Sequence, residues 1–313
     1  MISHVHRSPP LTGSVFSMTS SVALPLPAFT EATSLECWRQ MQHISLSIPL
    51  ADHPNPVTVA TNYVDQGQGE PMLFLHGFDS SVLEFRRLLP LLHQDFRAIA
   101  VDLLGFGFTA RSTTLPPTPA NIKIHLDHFW QTVIQEPITL VGVSMGGAVA
   151  LDFCLSFPEK VKKLVLIDSA GLTSQPFASR LMFSPVDRWL TKFLANAKVR
   201  QSIGQAAYYD RSLANEDARR CAAAHLICPG WSEGLIAFTK SGGYGSFAEK
   251  LGQITLPSLV IWGKQDKILG VRAAEQFQSL LPQSQLIWLD ACGHVPHLEQ
   301  PQPTAVALRQ FCL

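Results

Sequence analysis

The sequence predicts an α/β protein: a mostly parallel sheet with helices on both faces, and a helical cap inserted after a core strand. Three observations carry this. Short β-branched runs alternate with helix-length segments early in the chain and again near its end. The stretch Gly142-Val143-Ser144-Met145-Gly146 joins one such run to a small-residue helix through a sharp turn. Between the two alternating regions, residues 171–250 carry no strand pattern and read as helices and loops.

The chain has 313 residues, 46% of them hydrophobic, enough for one large α/β domain with an insertion or for two domains. The pattern favours the first. Residues 36–170 and 251–313 form the core, 171–250 the cap, and 1–35 a disordered N-terminal extension. That extension is rich in Ser, Thr and Pro and has no acidic residue before Glu31. Lys+Arg and Asp+Glu both number 24. With no basic surplus, no nucleic-acid partner is expected. Six scattered cysteines without a C-x-x-C pair read as reduced thiols of an intracellular protein. No run approaches the ~18 apolar residues of a membrane span.

Taken in order, residues 38–48 and 57–64 alternate apolar and polar and should pair antiparallel, with 49–56 as the turn. Residues 71–75 form a buried strand. A helix follows to about His93, capped by Ser80 or Ser81. The next strand covers 96–101. Residues 115–119 are a proline loop, and a helix then runs to about Ile134. After it come the strand and helix around Ser144 and a strand at 161–167. Late in the chain, strands at 256–262 and 285–289 alternate with helices at 271–281 and 304–311.

In the cap, Met182, Phe183, Val186, Trp189, Leu190, Phe193 and Leu194 share one arc of a helical wheel, while Asp187, Arg188, Thr191 and Lys192 lie opposite. Three readings fit such a helix. It packs on the core, it lines the site of a greasy substrate (Phe183, Val186, Trp189, Leu190 and Phe193 being the lining), or it dips into lipid.

G-x-S-x-G between a strand and a helix holds a serine on a strained turn and presents its hydroxyl above the sheet. A serine nucleophile needs a base, and the base an orienting acid. Asp266 and His294 each follow a late strand, at the carboxyl edge where ligands of parallel sheets bind. The expected triad is Ser144, His294 and Asp266. His297 is the competing base, and Asp168 the competing acid. Asp102 is expected to hold its own loop together. The oxyanion donors are the backbone N–H groups of Met145 and Phe78, with Gly77 allowing close approach. No metal-ligand spacing and no dinucleotide fingerprint is present, so no metal and no cofactor is expected. Dehalogenase and epoxide-hydrolase chemistry needs a carboxylate where Ser144 stands.

These motifs resemble the α/β-hydrolase superfamily over about residues 55–313. Four longer stretches resemble the chlorophyll dephytylases of plants and cyanobacteria: Phe74-Leu75-His76-Gly77-Phe78-Asp79-Ser80-Ser81, Asp102-Leu103-Leu104-Gly105-Phe106-Gly107-Phe108, Ser241-Gly242-Gly243-Tyr244 and Cys292-Gly293-His294-Val295-Pro296-His297-Leu298-Glu299. The resemblance implies the same triad and hydrolysis of the phytyl ester of chlorophyll to chlorophyllide and phytol. It also implies a place beside the thylakoid membrane, with peripheral contact to that membrane or to pigment–protein complexes. Two alternatives stand beside it: the same fold acting on pheophytin or another lipid-like ester, and a non-catalytic pigment-binding or assembly factor that keeps the triad.

Overall fold

The computed structural model describes residues 27–51, 53–173 and 186–313, without the side chains of 186–190. Helix α1 (Ala32–Arg39) precedes the antiparallel pair β1 (Gln42–Ile48) and β2 (Val57–Gln66), and β3 (Pro71–Leu75) follows. A 3-10 turn at Val82–Phe85 and the short α2 (Leu89–Leu92) lead to β4 (Arg97–Val101). Next come α3 (Pro119–Phe129), β5 (Ile138–Val143), α4 (Met145–Ser156) and β6 (Val161–Ile167). The cap contributes α5 (Val186–Ala195), α6 (Ala197–Ala207), α7 (Glu216–Ala223) and α8 (Trp231–Lys240). The core resumes with β7 (Ser258–Gly263), α9 (Arg272–Leu280), β8 (Ser284–Leu289), α10 (Pro296–Glu299) and α11 (Pro301–Cys312).

The described strands form one eight-stranded sheet in the order β1-β2-β4-β3-β5-β6-β7-β8. From β4 to β8 every neighbouring pair is parallel, while at the other edge β1–β2 and β2–β4 pair antiparallel. A parallel sheet covered by helices on both faces needs strands apolar on both sides. In β3, Met72 and Phe74 join one buried cluster while Leu73 and Leu75 join the other. β5, β6 and β7 split between the same two clusters, so the sheet is the wall between two cores. Helix α4 is buried nearly all round, which explains its run of Gly, Ala and Val rather than an amphipathic stripe. Thr118 caps α3 by accepting the Asn121 N–H, with Pro119 in the first turn where its missing N–H is harmless.

Four expectations need correction. Trp38 lies in α1 rather than in the first strand; its ring packs edge-on against Phe29 and Phe108. Neither Ser80 nor Ser81 makes a side-chain cap, and the segment begins as a 3-10 turn whose entry is fixed by Asp102 accepting the Val82 N–H at 2.6 Å. The stretch 1–35 is not wholly extension: α1 starts at Ala32, and Asp217 of α7 accepts from the N–H groups of Thr30 and Glu31 and from the Ser34 hydroxyl. Residues 1–26 lie outside the described residues. In α5, Thr191 was expected on the polar face but is buried, while Phe193, expected on the apolar one, is 58% exposed.

Candidate active site

Strand β5 ends under the turn that carries Ser144, whose backbone sits at φ 50° and ψ −119°. A non-glycine residue there is strained, and the neighbours leave it no alternative. A Cβ on Gly142 would lie 2.4 Å from the Gly146 carbonyl oxygen, and one on Gly146 would lie 2.1 Å from that of Leu75. Gly77 is different. A Cβ there would meet Glu84 at 3.4 Å and Ser144 at 3.5 Å, ordinary contacts, so close approach does not account for this glycine.

The loops after β7 and β8 bring the other two residues to the serine. The His294 Nε2 lies 3.0 Å from the Ser144 Oγ, and its Nδ1 lies 3.0 Å from the Asp266 Oδ2. An ionised Asp266 can only accept, so Nδ1 carries the proton and Nε2 offers its lone pair to the serine hydroxyl. Burial pushes the Asp266 carboxyl up, but hydrogen bonds from His294 and from the N–H groups of Ile268 and Leu269 outweigh it and leave it below the usual range. Chemically, the arrangement can remove a proton from Ser144 and hold the resulting imidazolium.

The competitors have other work. Asp168 is buried beside Asp266, accepts from the Gly263 N–H at 3.2 Å, and is pushed well above the usual range, first by burial and then by the Asp266 charge. Asp168, Asp266 and His294 could bring ligand atoms within 4.8 Å of one another. The donor set suits a cation poorly: Asp266 is committed to His294 and two backbone N–H groups, and Asp168 favours its neutral acid. His297 is buried with Nε2 3.2 Å from the Glu84 Oε1. Glu84 also accepts the Gly77 N–H at 2.8 Å, so it links the histidine loop to the loop after β3. Burial would raise Glu84, yet His297 and then His76 bring it down to about 2. Asp102 holds its loop by accepting from Phe108, Val82 and Asn62. His76 accepts the Leu103 N–H at Nε2, and therefore donates from Nδ1 to the Gly77 carbonyl.

Among the described residues, the N–H groups of Phe78 and Met145 find no protein acceptor. Phe78 lines the cavity together with Ser144, and Met145 follows the serine in the chain.

A cavity of about 350 Å³ opens over Ser144 and His294. Its wall is mainly apolar and includes Phe78, Leu83, Leu194, Ile203, Ile268 and Leu298. Three arginines also border it; Arg200 and Arg219 are hydrogen-bonded to carboxylates, while the buried Arg86 keeps Nε and Nη2 without a hydrogen-bond partner among the described residues. The Arg200 Nη1 donates to the Asp79 Oδ2 at 2.6 Å; the Arg86 Nε lies 3.8 Å from the Asp217 Oδ2; Arg219 pairs with Glu216. Of the expected lid residues, Phe183 lies outside the described residues. Val186, Trp189 and Leu190 lie on α5, where only the backbone is described. Phe193 is exposed, and among the described α5 side chains Leu194 lies on the cavity wall.

Two carboxylates that sequence reasoning missed tie the cap to this site. Asp79, next to Phe78, has φ 50° and accepts from three cap side chains: Arg200, the His225 Nε2 at 3.0 Å and the Trp231 Nε1 at 2.8 Å. Glu299 accepts from the N–H groups of Gly293, Tyr209 and Asp210. An aspartate among serines after β3 and a glutamate five residues past the histidine were present as signals, but nothing in the sequence names their partners.

The sheet order, the strained serine and the relay to His294 agree with the family comparison. Residues 70–301 match the model of the alpha/beta hydrolase fold. The chain is an α/β-hydrolase. This α/β-hydrolase is 31% identical over 243 residues to the alpha/beta hydrolase domain-containing protein VTE7 of Arabidopsis thaliana, covering 77% of this chain and 73% of that protein. It is 29% identical over 268 residues to a 2-hydroxy-6-oxo-6-(2'-aminophenyl)hexa-2,4-dienoic acid hydrolase of Metapseudomonas resinovorans, covering 81% and 87%. Among solved structures it is similar in fold to a thermophilic esterase from Thermogutta terrifontis, with a TM-score of 0.72, 23% identity, and coverage of 86% and 97%. The relatives place it among hydrolases. No described helix of this α/β-hydrolase is long and apolar enough to cross a membrane.

Proposed function

We propose that the protein is a serine ester hydrolase that cleaves the phytyl ester of chlorophyll, releasing chlorophyllide and phytol. The observation that carries the reading is the Ser144–His294–Asp266 relay beneath a mainly apolar cavity. The substrate itself comes from the motif resemblance at residues 74–81, 102–108, 241–244 and 292–299.

The chemistry follows the geometry. The Ser144 Oγ attacks the propionate carbonyl while the His294 Nε2 takes its proton. The N–H groups of Phe78 and Met145 receive the oxyanion; each such donor is worth about 3 kcal/mol of barrier. The C–O bond to phytol breaks as His294 returns the proton to the leaving alkoxide. Water then attacks the acyl-enzyme with His294 as base, and the pigment acid departs from a regenerated Ser144.

The mainly apolar cavity wall supports a hydrophobic substrate. Each buried methylene of an isoprenoid chain contributes about 0.8 kcal/mol to binding in an apolar site.

A panel of chlorophyll a, pheophytin a and a triacylglycerol in the same detergent, with released alcohol and acid identified by mass, tests the substrate. Preferred release of phytol from chlorophyll a supports the reading. Preferred turnover of the triacylglycerol moves the substrate to another lipid-like ester.

A further inference from the structure

Helix α6 borders the cavity with Arg200, Gln201, Ile203, Gly204 and Ala207, and Tyr208 follows just past its end. Apart from Gln201 these positions are spaced i, i+3, i+4, i+7, i+8, one face of a helix, with Gly204 at its centre. Glycine is, proline apart, the poorest helix former, so an interior glycine needs a reason. The other glycines in described α-helices have one in packing. A Cβ would come within 2.1 Å of Leu75 at Gly146, 1.9 Å of Ser169 at Gly147 and 3.1 Å of Gly105 at Gly234. At Gly204 a Cβ would meet nothing within 4 Å. Gly252 and Gly270 also have no neighbour within 4 Å, but neither lines the cavity; Gly204 does, so there the open space is at the cavity wall.

The helix is fixed at both ends. Near its start, Arg200 donates to the Asp79 Oδ2 and to the Ala222 carbonyl, each at 2.6 Å. At its end, the Ala207 carbonyl accepts the His294 N–H at 2.7 Å, and the N–H groups of Tyr209 and Asp210 reach Glu299. A larger residue at 204 cannot lift the helix away without breaking contacts to the oxyanion loop and the histidine loop. Its side chain has to enter the cavity.

We infer that Gly204 is a specificity-determining residue that keeps the cavity open for a bulky hydrophobic group of the ester next to the scissile carbonyl. This rests on the ester-hydrolase reading and adds a size limit set at one position. Gly204→Ala, Gly204→Leu and Gly204→Phe fill the space stepwise.

The test compares kcat/KM for p-nitrophenyl acetate and p-nitrophenyl 3,3-diphenylpropionate in the full chain and the three variants, with thermal melting as the control for folding. The ratio of bulky to small substrate should fall at least tenfold in Gly204→Leu and further in Gly204→Phe, while Gly204→Ala melts at or above the unmutated chain. A ratio unchanged in a folded Gly204→Leu or Gly204→Phe overturns the inference, as does an equal loss on both esters in Gly204→Ala. If the unmutated chain hydrolyses neither ester, the ester reading fails on its own. Gly204 is then read by binding of the fluorescent probe 1-anilinonaphthalene-8-sulfonate: a weakening of at least fivefold in Gly204→Leu supports the size limit, and equal binding overturns it.

Discussion

Asp79, on the loop after β3, accepts a 2.6 Å hydrogen bond from Arg200 on cap helix α6. His225 and Trp231 donate to the same carboxylate from two further cap segments. The residue beside it, Phe78, lines the cavity over Ser144. One side chain thus ties three cap segments to the loop at the edge of the site.

Replacing Asp79 by Asn keeps its size and removes the charge that holds Arg200. A hydrogen bond to a charged group contributes about 1.5–3 kcal/mol, so a stability loss of that order is expected in chemical denaturation. Activity should fall with it through kcat. A variant with unchanged stability and kcat would remove Asp79 from the account.

The same carboxylate sets an acid limit. Burial would raise its pKa, but His225 and Arg200 outweigh that and bring it from 3.8 to about 2. A depressed folded pKa gives stability that is complete above the unfolded value and is lost as pH falls through the folded one. The stability gap between the unmutated chain and Asp79→Asn should therefore be constant above about pH 5 and shrink between about pH 4 and 2. Denaturant titrations at stepped pH measure it; a gap that widens on acidification contradicts the assignment.

Asp266 and Asp168 separate by function. Asp266→Asn should lower kcat by about 10⁴, because the amide favours the wrong histidine tautomer. Asp168→Asn keeps an acceptor for the Gly263 N–H and should cost less than about tenfold in kcat/KM, under 1.4 kcal/mol of barrier. The reverse order would make Asp168 the orienting acid.

Glu299 braces the histidine loop by accepting the Gly293 N–H at 2.7 Å together with two N–H groups of the cap. Glu299→Ala leaves three donors without that acceptor, and a loss of about 2–3 kcal/mol is expected. Amide exchange at Gly293, Tyr209 and Asp210 should accelerate together. Acceleration confined to one of them would contradict a shared brace.

The layered fold was legible because its signals are local: apolar runs of strand length, a glycine-flanked serine, and acid and histidine placed just after late strands. The Ser144–His294–Asp266 geometry was readable for the same reason, since parallel strands bring their carboxyl-end loops to one edge. Trp38 was misread because the apolar alternation of β1 continues by chance into α1. The α5 face was misassigned at Thr191 and Phe193 because a helical wheel gives the period of burial but not which neighbours supply it. Asp79, Glu84 and Glu299 were invisible because their partners are distant in sequence and are met only in the folded chain, on the cap for Asp79 and Glu299 and at His297 for Glu84.

The measurement that bears most directly on the central claim is hydrolysis of chlorophyll a in mild detergent by the purified protein and by Ser144→Ala, with products separated by chromatography. Chlorophyllide and phytol are expected in equal amounts from the unmutated protein, with a rate lower by on the order of 10⁴–10⁶ in the variant. Equal rates from the two proteins, or no chlorophyllide from either, would contradict that claim.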